Sequence, residues 1–158
     1  MLVSSNYNNM RDNFMRYFKD GGNVTNIIII LGGTNDCLYG FNASRVASAI
    51  NGLHSDAKFL LKSAKMSPSF TIAVTMPFYG IRMPDVRDNC RLETNKLIRD
   101  YSLSSHGSTW LFDMENFSFP QENYPEMWSP DKLHLSGKGY EKMGFELFEI
   151  IKLHLGHK

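Results

Sequence analysis

The chain has 158 residues, of which 42% are hydrophobic, so it can bury one core but is short for two ordinary domains. We therefore expect a single domain over residues 1–158. Seventeen Lys and Arg residues balance sixteen Asp and Glu residues, and like charges do not cluster along the sequence. This balance argues against nucleic acid or an anionic lipid surface as a partner.

Two further features bear on where the protein acts. The longest aliphatic run, Ile27–Leu31, is far shorter than the roughly 20 apolar residues that a membrane-spanning helix needs. The first residues lack the basic start and long apolar segment of a secretory signal. The sequence therefore predicts no membrane span and leaves the localisation unknown, cytoplasmic by default.

Strand and helix patterns alternate along the chain. Ile27–Leu31 is apolar without alternation, which is typical of a parallel strand that is covered on both faces. Asn42 and Ser136 are suited to cap the helices that follow them. The predicted elements are a helix over about 7–19, a strand over 27–31, a helix over about 43–66, a strand over 70–75, a helix over about 86–105, a strand over 109–112 and a final helix after Ser136.

This alternation predicts an α/β fold with a parallel sheet, whose functional loops lie at the carboxyl ends of the strands. Helical spacing also predicts which side chains face the core. In the helix over 86–105 these are Val86, Cys90, Leu97 and Tyr101, and in the final helix they are Tyr140, Met143, Leu147, Phe148 and Ile151.

The first candidate site is the turn Gly32-Gly33-Thr34-Asn35-Asp36, directly after the strand over 27–31. Glycines allow a sharp turn and a close approach of substrate. The Asn35 amide is a neutral donor suited to an oxyanion that forms in a transition state. The alternative is that Asn35 and Asp36 only satisfy the backbone of the turn, as such residues often do.

The second candidate site is Asp131 with His134, shortly before the final helix. Three residues apart on a turn, the carboxylate can reach the imidazole Nδ1–H and leave Nε2 free as a general base. The alternative is a solvated loop in which the two side chains are unrelated.

Together these two motifs resemble the SGNH (GDSL-type) hydrolase family. In that family a Gly-x-Asn-Asp block is followed by an Asp-x-x-His block before the last helix, and Glu93, Asn95 and Asp113 also resemble its framework. The resemblance implies a flavodoxin-like, three-layer α/β/α fold and hydrolysis of small-molecule carboxylic esters through a serine acyl-enzyme, without a cofactor.

The resemblance also implies a role for each candidate residue. His134 would be the general base and Asp131 the group that orients it. Asn35 and Gly33 would belong to the oxyanion hole, and Asp36 would brace the loop.

One part of the family pattern has no counterpart. The Gly-Asp-Ser block that carries the nucleophile, and the Gly-bearing block after it, are not recognisable before Ile27, and the nucleophile is unknown. Ser4 and Ser5 neither follow a strand nor lie in a Gly-Asp-Ser setting. We therefore expect an N-terminally truncated fold. Three explanations stay open: a fragment or misjudged start, pairing with another chain, or a non-catalytic binding or scaffold module on the same fold.

Without neighbouring strands, the strand over 27–31 would be an exposed apolar edge. We expect such an edge to self-associate or to bind a missing N-terminal segment. Cys37 and Cys90 make no disulfide framework and are expected to be free buried thiols. His54 and His106 are expected at the surface or at helix ends. No histidine has metal-ligand spacing with cysteine or carboxylate neighbours, so no metal is predicted.

Overall fold

The computed structural model describes residues 25–63, 69–78, 85–116 and 123–156. These residues form two compact units. The first comprises the described residues up to 76 together with 85–113, and the second comprises 77–78, 114–116 and 123–156. The predicted helix over 7–19, as well as Ser4 and Ser5, lies outside the described residues.

The first unit alternates strands and helices. It contains β1 (Asn26–Ile30), α1 (Thr34–Leu38), α2 (Ala43–Ser63), β2 (Ser69–Val74), α3 (Asp85–Ser104) and β3 (Thr109–Phe112). Apart from the five-residue helix α1, each element was predicted from the sequence with bounds that differ by at most a few residues. At the start of α2 the Asn42 side chain accepts a hydrogen bond from the Ser44 N–H at 2.9 Å, which confirms the predicted cap.

The three strands form one parallel sheet in the order β1-β2-β3. The register pairs Ile30 with Ala73 and Ala73 with Leu111. The prediction of an α/β fold with a parallel sheet is therefore confirmed.

Helices α2 and α3 cover one face of this sheet. Val46 and Ile50 of α2 and Ile98 of α3 form a buried cluster with Ala73 of the central strand. Further along α2, Ala57 and Leu61 pack with Ile28 of β1. Burial of these aliphatic side chains stabilises the unit by about 1.5–3 kcal/mol per large residue, before the loss of conformational entropy.

The opposite face of the sheet is unevenly covered. On β3 the Trp110 ring is buried and stacks on Phe70 with ring centroids 4.6 Å apart. On the β1 side, in contrast, Ile29 is 45% exposed and Leu31 is 43% exposed. The prediction that this strand is covered on both faces was therefore wrong, because α2 packs on the face with Ile28 and Ile30, whereas the face with Ile29 and Leu31 is partly exposed.

The second unit contains a 3-10 helix over Pro125–Met127 and the helix α4 over Gly137–Leu155. The Ser136 hydroxyl accepts a hydrogen bond from the Gly139 N–H at 3.2 Å, so the predicted cap of α4 is confirmed. The predicted inward face is partly wrong, because Tyr140 is 52% exposed and Phe148 is 57% exposed. Met143, Leu147 and Ile151, on the same face, are half-buried.

Three further predictions were wrong. Val86 was predicted to face the core, but it is 76% exposed at the start of α3. His54 lies on α2 with none of its surface exposed, since it falls in the apolar stripe between Ile50 and Ala57. Cys37 and Cys90 are buried as expected, but they form a disulfide and are not free thiols. No helix within the described ranges is long and apolar enough to cross a membrane.

Candidate active site

Gly33 shapes the turn that follows β1. Its φ of 95° lies in the left-handed region that favours glycine, and it forms the N-cap of α1. A Cβ at this position would come within 2.8 Å of Val46 Cγ1, 3.2 Å of Ile50 Cδ1 and 3.3 Å of the Met76 sulfur. The turn therefore needs glycine both for its backbone conformation and for its packing.

Asn35 follows on the first turn of α1, where its side chain is exposed. Within the described residues, neither Asn35 nor Asp36 uses its side chain to hydrogen-bond the turn. Asp36 holds the turn through its backbone, since its carbonyl accepts from the Phe41 N–H at 3.0 Å. The Asn35 side-chain amide is thus available to a substrate, since it makes no hydrogen bond within the turn. A bracing role for the Asp36 carboxylate stays a prediction.

The turn is supported from α3 at two points. The Asn95 side chain pairs with Met76, accepting from its backbone N–H at 2.7 Å and donating to its carbonyl at 2.8 Å. Asn95 is fully buried, and Met76 in turn packs against Gly33. The second support is the disulfide between Cys37 of α1 and Cys90 of α3.

A further polar group lies at the carboxyl end of β3. Asp113 accepts from Arg99 Nε at 2.9 Å and Nη2 at 2.8 Å, and from the Thr75 hydroxyl at 2.9 Å. The sequence indicated Asp113 and Asn95 only as framework residues. Their partners were missed, because tertiary contacts between β2, β3 and α3 leave no local pattern.

In the second unit, Asp131 and His134 meet as their spacing predicts. The Asp131 Oδ2 atom lies 2.7 Å from His134 Nδ1. The other carboxylate oxygen accepts backbone N–H bonds from Leu133 at 2.9 Å and His134 at 3.0 Å. One carboxylate therefore closes the turn and orients the imidazole, while Nε2 makes no hydrogen bond within the described residues.

The hydrogen bonds to Asp131 also set its ionisation. The backbone N–H of His134 first, then its side chain and the Leu133 N–H, lower the pKa of Asp131 from 3.8 to about 2. Asp131 is thus an anion at neutral pH, and an anion at Nδ1 favours the tautomer with the proton on that nitrogen.

The loop that carries this pair is tied down at both ends. Trp128 and Leu135 form an antiparallel bridge, and the Ser129 N–H donates to the His134 carbonyl at 2.9 Å. The Ser136 N–H donates to the Met127 carbonyl at 2.9 Å. These bonds place His134 three residues before the start of α4, and its side chain is 63% exposed.

The structure thus places the candidate residues in two groups. Gly33, Asn35 and Asp36 share one turn of the first unit, and Asp131 and His134 share one loop of the second. Within the described ranges, no three His, Cys, Asp or Glu side chains gather as metal ligands.

Comparison with known proteins gives the class of the protein. The model of the GDSL-like lipase/acylhydrolase family matches residues 7–142, which is more than half of the chain. The chain therefore belongs to the GDSL-like lipase/acylhydrolase family and has its α/β SGNH fold, and the family consists of ester-bond hydrolases that act on small molecules. No curated protein and no solved structure matched the chain.

Proposed function

We propose that this chain supplies the acid–base and oxyanion groups of a carboxylic ester hydrolase that works through a serine acyl-enzyme. The observation that carries the proposal is the 2.7 Å contact between Asp131 Oδ2 and His134 Nδ1, with Nε2 left available. The exposed Asn35 amide on the glycine turn supports it, as does membership of an acylhydrolase family.

In this mechanism His134 Nε2 takes the proton of a serine hydroxyl while the serine oxygen attacks the ester carbonyl. Asp131 stabilises the imidazolium that forms. The Asn35 amide, with the backbone at Gly33, donates hydrogen bonds to the oxyanion. His134 then returns the proton to the departing alcohol, and water activated by the same nitrogen releases the acid from the acyl-enzyme.

The serine is the group that the chain does not visibly provide. We propose that the nucleophile is not one of the serines of residues 1–158, because none of them lies in a recognisable Gly-Asp-Ser block. Purified 1–158 should then hydrolyse p-nitrophenyl acetate barely above background and resist a fluorophosphonate probe. Stoichiometric labelling of Ser4, Ser5 or another serine would overturn this part of the proposal.

The decisive experiment joins the chain to a Gly-Asp-Ser block from another family member and measures ester turnover. We expect His134→Ala to abolish turnover and Asn35→Ala to lower kcat by roughly a hundredfold or more. Asp131→Asn should impair turnover through the wrong tautomer. His106→Ala, at an exposed histidine of the first unit, is the matched control and should have no effect.

Near-normal turnover of a folded His134→Ala protein would disprove the catalytic assignment. If the joined protein folds and binds esters but does not turn them over, the result would support the alternative of a non-catalytic binding or scaffold module.

A further inference from the structure

The disulfide joins the Asn35 turn to the body of the first unit. Cys37 lies two residues after Asn35 on α1, and its Cα is 5.5 Å from that of Cys90 on α3. The two cysteines are 53 residues apart in the sequence. The bond therefore links a short surface helix to a long helix of the core.

Apart from the disulfide, α1 is held by the packing of Cys37 in the buried cluster with Val46 and Ile50 and by short-range backbone bonds. It is five residues long and its N-cap, Gly33, makes no side-chain cap bond. At its carboxyl end, the backbone N–H groups of Tyr39, Gly40 and Phe41 donate hydrogen bonds to carbonyl groups of α1 itself. A helix of this length is unstable on its own, so its position depends on tertiary ties.

The two sides of the turn are held by different chemistry. Upstream, Gly33 packs on Met76, whose backbone is held by the buried Asn95 amide. This anchor contains no group that thiols can reduce. Downstream, Cys37 is held by a bond that can be reduced, so the redox state acts on one side of Asn35 alone.

We propose that Cys37–Cys90 is a redox modification site, at which a dithiol reductant releases α1 and with it the Asn35 side chain. Cys90 is 8% exposed whereas Cys37 is fully buried, so the attack falls on the Cys90 sulfur. Both cysteines are buried in the resting fold, so reduction needs a local opening of the structure around Cys90.

The exchange follows ordinary thiol chemistry. A thiolate of the reductant bonds to the Cys90 sulfur and the bond to Cys37 breaks, so Cys37 leaves as a thiolate and takes a proton from water. The second thiolate of the reductant then attacks the mixed disulfide and releases Cys90. Two electrons pass to the protein, which ends with two thiols, and the reductant ends as a disulfide.

This inference concerns the order of the Asn35 turn and goes beyond ester hydrolysis. Only its catalytic consequence, a weaker oxyanion hole in the reduced protein, rests on the proposed function. A test on α1 itself therefore separates a failure of the redox site from a failure of the proposed chemistry.

The test measures amide hydrogen exchange of isotope-labelled 1–158 by NMR, before and after reduction with dithiothreitol. We expect the amides of Tyr39, Gly40 and Phe41 to exchange about tenfold faster or more after reduction. The Met76 amide, bonded to Asn95, should change less than about twofold, as should the amides of β2 and β3. Alkylation of the unreduced, denatured protein should find no free thiol.

A variant with Cys37→Ser and Cys90→Ser provides the control. Its Tyr39, Gly40 and Phe41 amides should exchange fast with or without reductant. If this variant does not fold, the comparison of oxidised and reduced wild type is sufficient to test the proposal. Quantitative alkylation of both cysteines before reduction would overturn the proposal. Unchanged exchange of α1, or equal acceleration at Met76 and throughout the sheet, would overturn it as well.

Discussion

Gly33 and Val46 are in such close contact that a single added methyl group would place a carbon 2.8 Å from Val46 Cγ1. This contact joins the turn bearing Asn35 to the buried face of α2. The position of the candidate oxyanion donor is therefore set by core packing, in addition to the local conformation of the turn.

A comparison of two glycines tests this relationship. Gly33 and Gly40 both have positive φ, 95° and 82°, but an added Cβ at Gly40 meets nothing within 4 Å. We expect Gly40→Ala to lower the free energy of unfolding by about 1 kcal/mol through backbone strain. Gly33→Ala should cost about 2–4 kcal/mol, because overpacking adds to the strain. Equal losses in urea unfolding would show that the packing contributes nothing.

His54 makes stability depend on pH. Burial, and secondly the charge of Lys58, lower its pKa from 6.5 to about 4. Neither ring nitrogen has a hydrogen-bond partner among the residues that the structure describes. As the pH falls below about 6.5 the unfolded chain binds a proton that the folded chain does not accept until about pH 4. Stability should therefore be full above pH 6.5 and fall by about 3 kcal/mol towards pH 4.

Urea unfolding between pH 4.5 and 7.5 measures this effect. His54→Leu should remove most of the pH dependence in that range, because it removes the buried group that titrates. His106→Leu alters an exposed histidine and should leave the dependence in place. If the His54→Leu protein keeps the wild-type slope, other groups must cause the loss of stability in acid.

The missed burial of His54 shows what periodicity can and cannot reveal. Val46, Ile50 and Ala57 lie on the buried face of α2, and His54 lies at helical spacing from them on the same face. The helical spacing thus indicated that His54 is buried, but we expected it at the surface because histidine is polar. The disulfide between Cys37 and Cys90 left no such signal, because it depends on how two helices pack across 53 residues of sequence.

The sequence predicted the helix caps and the Asp131–His134 turn correctly, because these features depend on hydrogen bonds between residues that are close in the chain. Asn42 and Ser136 accept the backbone N–H groups at the helix starts, and Asp131 closes the turn that orients His134. In each case the partner lies two or three residues away. The role of Asn95 at Met76 required knowledge of the tertiary fold, and so did the exposure of Ile29.

The exposed side of β1 leads to a prediction about association. Ile29 in β1 and Leu31 directly after it are exposed, and β1 contains no charged residue. We therefore expect purified 1–158 to self-associate and to bind a hydrophobic dye. Ile29→Lys should reduce self-association, measured by light scattering, and dye binding, measured by fluorescence. Val86→Lys, at a residue of α3 that is 76% exposed, should not. A monomeric wild type that does not bind the dye would contradict the prediction.

Gly139 connects α4 to the loop that carries Asp131 and His134. An added Cβ there would overlap the Met127 carbonyl oxygen and lie 2.9 Å from Leu135 Cβ, whereas at Gly144, also in α4, it would meet nothing within 4 Å. Gly144→Ala should therefore stabilise the protein by about 0.5–1 kcal/mol through helix propensity. Gly139→Ala should destabilise it by about 1–3 kcal/mol despite the same propensity gain.

The position of the loop provides a second measurement. Because Leu135 follows His134 directly, the displacement caused by Gly139→Ala should also change the NMR shifts of the His134 ring, whereas Gly144→Ala should leave them unchanged. Thermal unfolding and a histidine-ring NMR spectrum of the two variants give both results. A stabilised Gly139→Ala protein with unchanged His134 shifts would show that the close contact with Met127 does not hold the loop that carries Asp131 and His134.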